Sequence, residues 1–276
     1  MDDVTRSITC PSTPNALSEP PDAALEVQPS KAATNGHPEI PDYLQKTYYW
    51  AYLNPRNVRL LDREFVVRTI LWQQHIKLQK LAFAEIAPGQ SVLQPASVYG
   101  SFVPNLAAHI GPQGSLDVVD VAEVQVLSAR RKLQGFSSAT VHHANILDFD
   151  GGPFDVVCCY FLLHEVPDSY KYEVVNLLLE KLGPGGKAVF VDYHKPRWWH
   201  PLKLITSIVF DTLEPYAKTL WRHEIQDFAD TSERFHWSKE TCFGGLFQKV
   251  VASRRECLGQ RPVGPASAGK FPVNSG

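Results

Sequence analysis

Ser91-Val-Leu-Gln-Pro-Ala-Ser-Val-Tyr-Gly100 is the stretch that decides the fold. Its first part is a short apolar run that predicts a strand, and Gly100 lies in the tight turn that follows. Apolar residues then recur at helical spacing, so we expect a helix directly after the turn. A strand, a turn that contains glycine and a helix start together form a place where a nucleotide-like cofactor can bind.

Composition and charge narrow the class of protein. The chain has 276 residues, 44% hydrophobic and 20% charged, which suits a globular protein with one sizeable α/β domain. Its net charge of −2 gives no reason to expect a nucleic-acid partner. Five scattered cysteines indicate reduced thiols and a reducing compartment. The acidic N-terminus and the absence of a run of about 18 apolar residues predict a cytoplasmic protein, with a peripheral contact at the cytoplasmic membrane face left open.

The composition changes along the chain and predicts four parts. Residues 1–38 contain no Phe, Tyr or Trp and are expected to form a disordered tail, as are residues 256–276. Residues 39–88 are expected to form a helical cap in which aromatic side chains crowd together. Residues 89–255 are expected to form the α/β domain. The aromatic residues of the cap either pack on the core or form a lid over a flat apolar ligand.

Five strand-like runs alternate with helical patterns in residues 89–255. They are Ser91–Ala96, Leu116–Val121, Ala139–His142, Phe154–Tyr160 and Ala188–Val191. This alternation predicts a mainly parallel sheet with helices on both faces. Ligands of such sheets bind outside the carboxyl ends of the strands, so the residues just after each strand are the candidates for function.

The candidate cofactor residues follow the first four strands. They are Gln94, Ser97, Tyr99, Gly100, Asp120, Val121, Asn145, Ile146 and Phe161. Asp120 ends the second strand about 20 residues after the loop, where a carboxylate binds ribose hydroxyls; the alternative role is the N-cap of the next helix. Asn145 and Ile146 lie where an adenine edge would be met.

The candidate catalytic residues follow the fourth and fifth strands. They are His164, Glu165, Asp192, Tyr193 and His194. Imidazole and carboxylate groups suit either a metal such as Mn²⁺, Fe²⁺ or Zn²⁺, or general acid–base catalysis. His164, Glu165, Asp192 and His194 are therefore also the candidate metal ligands. The plainer alternative is helix capping and supporting hydrogen bonds.

Three later motifs resemble those of class I S-adenosylmethionine-dependent methyltransferases. They are Phe154-Asp-Val-Val157, Leu163-His-Glu-Val-Pro-Asp168 and Leu182-Gly-Pro-Gly-Gly-Lys187, with Cys242–Val251 similar to a closing strand. The resemblance implies a Rossmann-like fold with a mainly parallel seven-stranded sheet, helices on both faces and an N-terminal helical lid. It also implies that residues 89–255 bind S-adenosylmethionine.

Further segments resemble the rhodoquinone biosynthesis family RquA. They include Ile40–Tyr52, Val98-Tyr-Gly100, Leu116–Ala122, Phe161-Leu-Leu-His-Glu165, Val191-Asp-Tyr-His194, Trp198-Trp-His-Pro201, Leu213-Glu-Pro215 and Leu220-Trp-Arg-His-Glu224. This resemblance implies an enzyme that converts ubiquinone to rhodoquinone by replacing a ring methoxy group with an amino group. S-adenosylmethionine is implied as the amino donor, with Mn²⁺ assisting. No protein partner is indicated.

The cofactor loop departs from the usual methyltransferase pattern. Gln94 stands where such loops carry an acid, and Ala96 and Val98 stand at two of the three glycine positions. An uncharged side chain would hold the methionine ammonium group less tightly, which favours a free amine; simple drift is the alternative. Two other functions stay open: methyl transfer to a quinone, and binding of lipid or quinone without catalysis.

The run Pro196–Phe210 has paired Trp residues, basic groups and a short apolar stretch. These features suit a segment at the headgroup boundary of a membrane. A helix that roofs the active site is the alternative.

Overall fold

Seven strands form one sheet whose order places the candidate residues at a single edge. The computed structural model describes residues 38–255. The strands are β1 Ser91–Gln94, β2 Ser115–Asp120, β3 Ala139–His143, β4 Phe154–Tyr160, β5 Leu182–Tyr193, β6 Phe235–Cys242 and β7 Phe247–Arg254. Their order is β3-β2-β1-β4-β5-β7-β6, with β7 antiparallel to both of its neighbours. The predicted Rossmann-like, mainly parallel seven-stranded sheet is confirmed.

Helices cover the sheet and precede it. The helices are α1 Asp42–Thr47, α2 Pro55–Leu61, α3 Glu64–Ile70, α4 His75–Phe83, α5 Phe102–Ile110, α6 Glu123–Lys132, α7 Asp168–Glu180 and α8 Lys203–Thr212. A π-helical turn, Tyr49–Leu53, joins α1 to α2, and short 3₁₀ turns follow β3 and α8. The first helices form the predicted cap, and α8 belongs to an insertion between β5 and β6. The predicted tails fall outside the described residues, apart from Pro38.

Alternation of side chains along the strands produces two apolar clusters, one on each face of the sheet. Val92 of β1 packs in one cluster with residues of α4, α5 and α6, while its neighbour Leu93 packs in the other with α7. Both side chains are completely buried. Because the central strands are covered on both faces, consecutive apolar residues such as Val156–Cys159 of β4 are all buried, as is usual in parallel sheets.

The structure differs from the predicted elements at three places. β1 ends at Gln94, two residues early, because the chain turns into the loop there. β5 begins at Leu182 rather than at Ala188, so the glycine-rich run 183–186 lies inside the strand, at a bulge opposite β4. A Cβ on Gly186 would lie 3.0 Å from the carbonyl oxygen of Phe154, so the close approach requires glycine. The expected closing strand is two strands joined by a turn at Phe243–Leu246.

The cofactor loop is tied to the cap by one partly buried ion pair. Lys132 of α6 donates to the carboxylate of Asp62 at 2.6 Å and to the carbonyl oxygens of Val98 and Gly100 at 3.1 Å. The N–H of Gly100 donates to the same Asp62 carboxylate at 2.9 Å. Gly100 therefore has its polar backbone groups bound to protein, and it connects the cofactor loop to the cap.

Gly100→Ala should destabilise the protein more than Gly89→Ala. Both glycines have positive φ, +74° and +85°, but a Cβ on Gly100 would lie 3.0 Å from Glu64 and 3.2 Å from Val67, whereas one on Gly89 meets nothing within 4 Å. We expect Gly89→Ala to lower the free energy of unfolding by about 1 kcal/mol and Gly100→Ala by about 2 kcal/mol or more. Urea unfolding measures both values. Equal losses of unfolding free energy in the two variants would show that the contact with α3 does not add to the cost of the substitution.

Candidate functional site

A pocket opens at the carboxyl ends of β1, β4 and β5, beneath the cap. Its open space, including the solvent-filled mouth, is about 760 Å³. The sheet side contributes Ser97, Val98, Tyr99, Tyr160, Phe161, His164, Glu165 and Tyr193; the cap contributes Trp50, Ala51, Tyr52, Leu61, Val67, Ile70 and Leu71; the insertion contributes Glu214. The walls are mostly apolar and aromatic, with charged groups gathered at one end. This composition suits a flat apolar ligand that carries a few polar atoms.

Four titratable side chains form the charged end of the pocket. Nδ1 of His164 lies 2.9 Å from Oδ1 of Asp192, and Nε2 of His164 lies 3.7 Å from Oε1 of Glu165. Asp192 is held in place because its carboxylate accepts the backbone N–H groups of His164 at 3.3 Å and of Tyr193 at 2.7 Å. The fourth group, Glu214, comes from the insertion. His164 therefore turns one ring nitrogen to a buried carboxylate and the other toward the pocket.

The cap supplies hydroxyl donors to two of these carboxylates. Tyr48 donates to Oε2 of Glu214 at 2.7 Å, and Tyr52 donates to Oε1 of Glu165. Tyr52 also stacks on Tyr99 of the cofactor loop, with ring centroids 5.6 Å apart and an angle of 6° between the planes. Tyr99 in turn donates to the carbonyl oxygen of Ala51. The aromatic cap therefore packs on the core and also contributes side chains to the pocket.

Burial and neighbouring charges set the protonation states. Burial lowers the pKa of His164, but contact with Asp192, helped by Glu165 and Glu214, outweighs it and brings the pKa to about 9. Burial raises the pKa of Glu165 to about 8, and it also raises the pKa of Glu214. At neutral pH the site thus holds an imidazolium paired with the Asp192 carboxylate, beside a protonated Glu165. Two proton donors face the pocket.

Several buried polar atoms at this edge have no hydrogen-bond partner among the described residues. They are Oγ of Ser97, the hydroxyl of Tyr160 and Oε1 of Gln94. Ser97 and Tyr160 both line the pocket. Buried polar groups without a partner are costly, so their grouping here indicates a ligand that satisfies them.

The predicted cofactor residues fall into two groups. Asp120 lies beside the loop, where its carboxylate accepts the N–H groups of Ser97 and Ala122, both at 2.8 Å. Burial, opposed by these bonds, raises the pKa of Asp120 to about 6. Phe161 lines the pocket with a positive φ of 53°, an unusual conformation that is typical of functional sites.

The remaining predicted cofactor residues have structural contacts. Gly100 binds the cap, as described above. Oδ1 of Asn145 caps the following 3₁₀ turn by accepting the N–H of Leu147 at 3.1 Å. Ile146 packs on the apolar cluster beside α7, and the carbonyl oxygen of Val121 lies 3.2 Å from a ring nitrogen of His143. Val121 follows β2, and Asn145 and Ile146 follow β3, as expected. None of these three residues is part of the pocket lining.

His194 does not join the other three predicted metal ligands. Its Nδ1 donates to the carbonyl oxygen of Gly245 at 2.8 Å, and Lys239 donates to its Nε2 at 2.9 Å. The ring is drawn to the β6–β7 turn because the chain leaving β5 pairs with that turn. Asp192 is already occupied by His164 and two backbone N–H groups. Within residues 38–255 no group of three or more His, Cys, Asp or Glu side chains is arranged to hold a metal, so the four-ligand Mn²⁺ site is corrected.

Sequence reasoning did not single out Tyr48, Tyr52, Glu214 or Lys171 as site residues. The crowded tyrosines near residue 50 were a signal for the first two, and the Leu213-Glu-Pro215 segment contained the third. Lys171 carried no signal. It is fully buried and donates to the carbonyl oxygens of Val166 at 2.7 Å and Tyr216 at 3.0 Å, so it joins the segments that carry Glu165 and Glu214.

Comparison with known proteins agrees with this fold. A family model described as a methyltransferase domain matches residues 92–186. The ubiquinone/menaquinone biosynthesis C-methyltransferase UbiE of Shewanella sediminis is 24% identical over 163 residues, which cover 57% of this chain and 64% of that protein. The demethylmenaquinone methyltransferase of Bacillus cytotoxicus is 24% identical over 145 residues, covering 50% and 60%. The match spans less than two thirds of either relative.

Solved structures show the same architecture. The N-methyltransferase NodS from Bradyrhizobium japonicum, in complex with S-adenosyl-L-homocysteine, superimposes with a TM-score of 0.53 at 18% identity, covering 78% of this chain and 100% of that chain. An O-methyltransferase family protein from Burkholderia thailandensis superimposes with a TM-score of 0.56 at 16% identity, covering 73% and 60%. At such identities the likeness shows the class I methyltransferase fold alone.

Asp192→Asn should lower the pKa of His164 from about 9 to below its ordinary value of about 6.5. Without the carboxylate, burial becomes the dominant influence on the imidazole, and burial disfavours its charged form. An NMR titration of ¹⁵N-labelled imidazoles measures the change, with His164→Asn identifying the resonance.

Asp117→Asn is the matched control, because Asp117 lies 2.6 Å from a different imidazole, His142. This variant should leave the titration of His164 unchanged. An unshifted His164 in Asp192→Asn would contradict the proposed pairing.

Proposed function

We propose that the protein is an S-adenosylmethionine-dependent enzyme that acts on a quinone. The specific reaction proposed is conversion of ubiquinone to rhodoquinone, in which an amino group from S-adenosylmethionine replaces a ring methoxy group. The observation that carries the proposal is an apolar pocket beside the cofactor loop, with the proton donors His164 and Glu165 at one end. The resemblance of many sequence segments to the rhodoquinone biosynthesis family gives the specific reaction.

The residues at the ends of β1 and β2 fit S-adenosylmethionine. Asp120 accepts one backbone N–H on each oxygen, and each oxygen retains a lone pair for a ribose hydroxyl. The unpartnered Oγ of Ser97 and Oε1 of Gln94 supply two further polar contacts among the described residues. When bound there, S-adenosylmethionine supplies the group that is transferred to the ring.

His164 and Glu165 would activate the quinone ring. A quinone presents two carbonyl oxygens, and a proton donor at one of them draws electrons from the ring carbons and favours attack by a nucleophile. The imidazolium of His164, kept charged by Asp192, and the neutral carboxyl of Glu165 are both in the donor form at neutral pH. Phe161 and the stacked rings of Tyr52 and Tyr99 offer faces for the planar ring.

In the first step a bond forms between a ring carbon and the amine nitrogen, the bond from that carbon to the methoxy oxygen breaks, and methanol leaves with one proton of the amine. Glu214, which lines the same pocket, would carry that proton to the methoxide. In the second step the bond between the nitrogen and the α-carbon of the donor would be cleaved: the proton on the α-carbon is lost, its electron pair reduces the quinone to the quinol, and water hydrolyses the resulting C=N bond to give the aminated quinol and a 2-oxo acid. No step is assigned to a metal, because the described residues do not form a set of ligands for one.

Gln94 supports amino transfer over methyl transfer. Its side chain is completely buried, its Nε2 donates to the carbonyl oxygen of Ala96 at 2.9 Å, and its Oε1 is an uncharged acceptor. An uncharged acceptor stabilises an ammonium group less than a carboxylate does. A free amine, which is the nucleophilic form, is therefore easier to reach at this site.

Methyl transfer to a quinone is the second candidate. The matched family model is a methyltransferase domain, and several relatives are C-methyltransferases of ubiquinone or menaquinone biosynthesis. The same pocket would accept the quinone ring, and the same donors would bind its oxygens.

Labelled substrate separates the two reactions. The full-length protein is incubated with a short-chain ubiquinone analogue and S-adenosylmethionine that carries ¹⁵N in its amino group, with and without Mn²⁺. We expect ¹⁵N in an amino group attached to the ring of the product, together with release of methanol, and mass spectrometry measures both. A parallel incubation uses a ¹³C methyl label; incorporation of that label without ¹⁵N would replace the first candidate by the second.

Asp120 should make cofactor affinity depend on pH. A ribose hydroxyl donates to the carboxylate form, so binding of S-adenosylhomocysteine should weaken as the pH falls below about 6, where Asp120 becomes protonated. Calorimetry between pH 5 and pH 8 should show this decrease in the wild type and a weak, nearly flat profile in Asp120→Asn. The control is Asp117→Asn, which removes another acid of the same strand, and this variant should keep the wild-type profile. A wild-type profile in Asp120→Asn would remove Asp120 from the cofactor site.

A further inference from the structure

The exposed apolar side chains are concentrated in two segments. Of the fifteen large hydrophobic side chains exposed within residues 38–255, twelve belong to residues 49–70 of the cap or 198–213 of the insertion. They are Tyr49, Trp50, Leu60, Phe65, Ile70, Trp198, Trp199, Leu204, Ile205, Ile208, Val209 and Leu213. Scattered exposed apolar residues are ordinary, but a concentration of this kind marks an interaction surface.

Helix α8 is apolar on its outward side as well as its inward side. Thr206 and Phe210 are buried against the domain, while the pairs Leu204–Ile208 and Ile205–Val209, each four residues apart, face away from it. No charged residue occurs between Lys203 and Asp211. A helix that is apolar on every side requires a second apolar environment.

The two segments are joined beside the pocket by a contact between the residues that adjoin them. Glu214, directly after the insertion segment, accepts the hydroxyl of Tyr48 from the cap at 2.7 Å. Trp50 and Ile70 line the pocket and are nevertheless 40% and 47% exposed. At Trp50 and Ile70 the apolar lining of the pocket therefore continues directly into the exposed apolar surface, and no polar residue separates the two.

Basic side chains lie on the first segment and directly before the second, although the sequence as a whole has a net charge of −2. Residues 49–70 carry four arginines against two acids, while residues 198–213 carry Lys203 against Asp211 and are preceded by Lys195 and Arg197. Arg56, Arg59, Arg63 and Arg68 are exposed, as are Lys195 and Arg197. Basic side chains beside an apolar surface match anionic lipid headgroups.

We propose that residues 49–70 and 198–213 form one docking surface for an anionic lipid bilayer, which brings the mouth of the pocket against the membrane. The exposed apolar side chains of α8 and the paired Trp residues enter the boundary between headgroups and acyl chains, and the basic side chains contact the headgroups. No helix in residues 38–255 is long and apolar enough to cross a membrane, so the contact is peripheral.

The orientation explains how a lipid-soluble substrate reaches the site. This part rests on the proposed function: a quinone with an isoprenoid tail passes its ring from the bilayer past Trp50 and Ile70 into the pocket, and its tail stays among the lipids. The ring then never crosses water. Of the two roles considered for the insertion, the proposal assigns the interfacial one to α8, while Glu214, which follows α8, lines the pocket.

Flotation with vesicles free of quinone tests the surface. The wild-type protein should float with phosphatidylcholine vesicles that contain phosphatidylglycerol, less with phosphatidylcholine alone, and less at high salt. Ile208→Asp should reduce partitioning by about tenfold or more, because it replaces an inserted apolar side chain by a charge. Trp198→Ser, at an 84% exposed position, provides a second variant with little risk to folding.

Leu127→Asp is the matched control, because Leu127 is 57% exposed and Ile208 is 56% exposed, but Leu127 lies on α6 outside both segments. It should float like the wild type. Wild-type flotation of both Ile208→Asp and Trp198→Ser would overturn the proposal. A dimer in sedimentation experiments that Ile208→Asp dissociates, without flotation of the wild type, would identify a second copy as the occupant and also overturn it.

Activity separates this surface from the proposed reaction. Ile208→Asp should retain turnover of a short-chain, water-soluble quinone and lose it, by about the same factor as its partitioning, on a long-chain quinone in vesicles. Normal flotation with no product from either quinone would contradict the proposed function and leave the docking surface supported.

Discussion

The contact between His164 and Asp192 joins the ends of two adjacent parallel strands, and the rest of the site depends on it. Asp192 ends β5 almost fully buried, and its charge is compensated by the imidazolium 2.9 Å away and by two backbone N–H groups. Removing one member of such a buried pair leaves an uncompensated charge, which costs about 3–5 kcal/mol. The pair therefore fixes the loop after β4 and keeps Nε2 of His164 directed at the pocket.

Two further connections bring the remaining acids to this pair. Lys171, fully buried on α7, donates to carbonyl oxygens of the loop after β4 and of the segment after α8. It therefore fixes the position of these two segments relative to each other. Tyr48 and Tyr52 then connect the cap to Glu214 and Glu165. Because both acids are shielded from water, their pKa values rise, and Glu165, whose pKa is about 8, is a proton donor at neutral pH. The cap thus determines the chemistry of the site as well as its shape.

Periodicity and turn residues predicted the parallel sheet, the order of its elements and the edge at which the site lies, because these follow from local patterns. The same patterns could not show which strand-end residues meet. His194 follows Asp192 by two residues, yet its ring is drawn away by the β6–β7 turn, a contact between residues 51 positions apart in sequence. Glu214 and Lys171 reach the site through tertiary contacts of an insertion and a buried helix face, for which the sequence contains no periodic signal.

The cofactor loop illustrates how a familiar position can acquire a different role. Gly100 is the one glycine kept at the positions where methyltransferase loops approach their cofactor, yet its N–H and carbonyl groups are bound by Asp62 and Lys132. The backbone is therefore used to attach the loop to the cap. The polar groups that we propose for the cofactor are instead the side chains of Gln94, Ser97 and Asp120, and the first two have unpartnered buried oxygen atoms among the described residues. In the proposed reaction the carboxylate of Asp120 binds the ribose and the uncharged Gln94 lies at the methionine end, so the charged acceptor is kept away from the amine that is transferred.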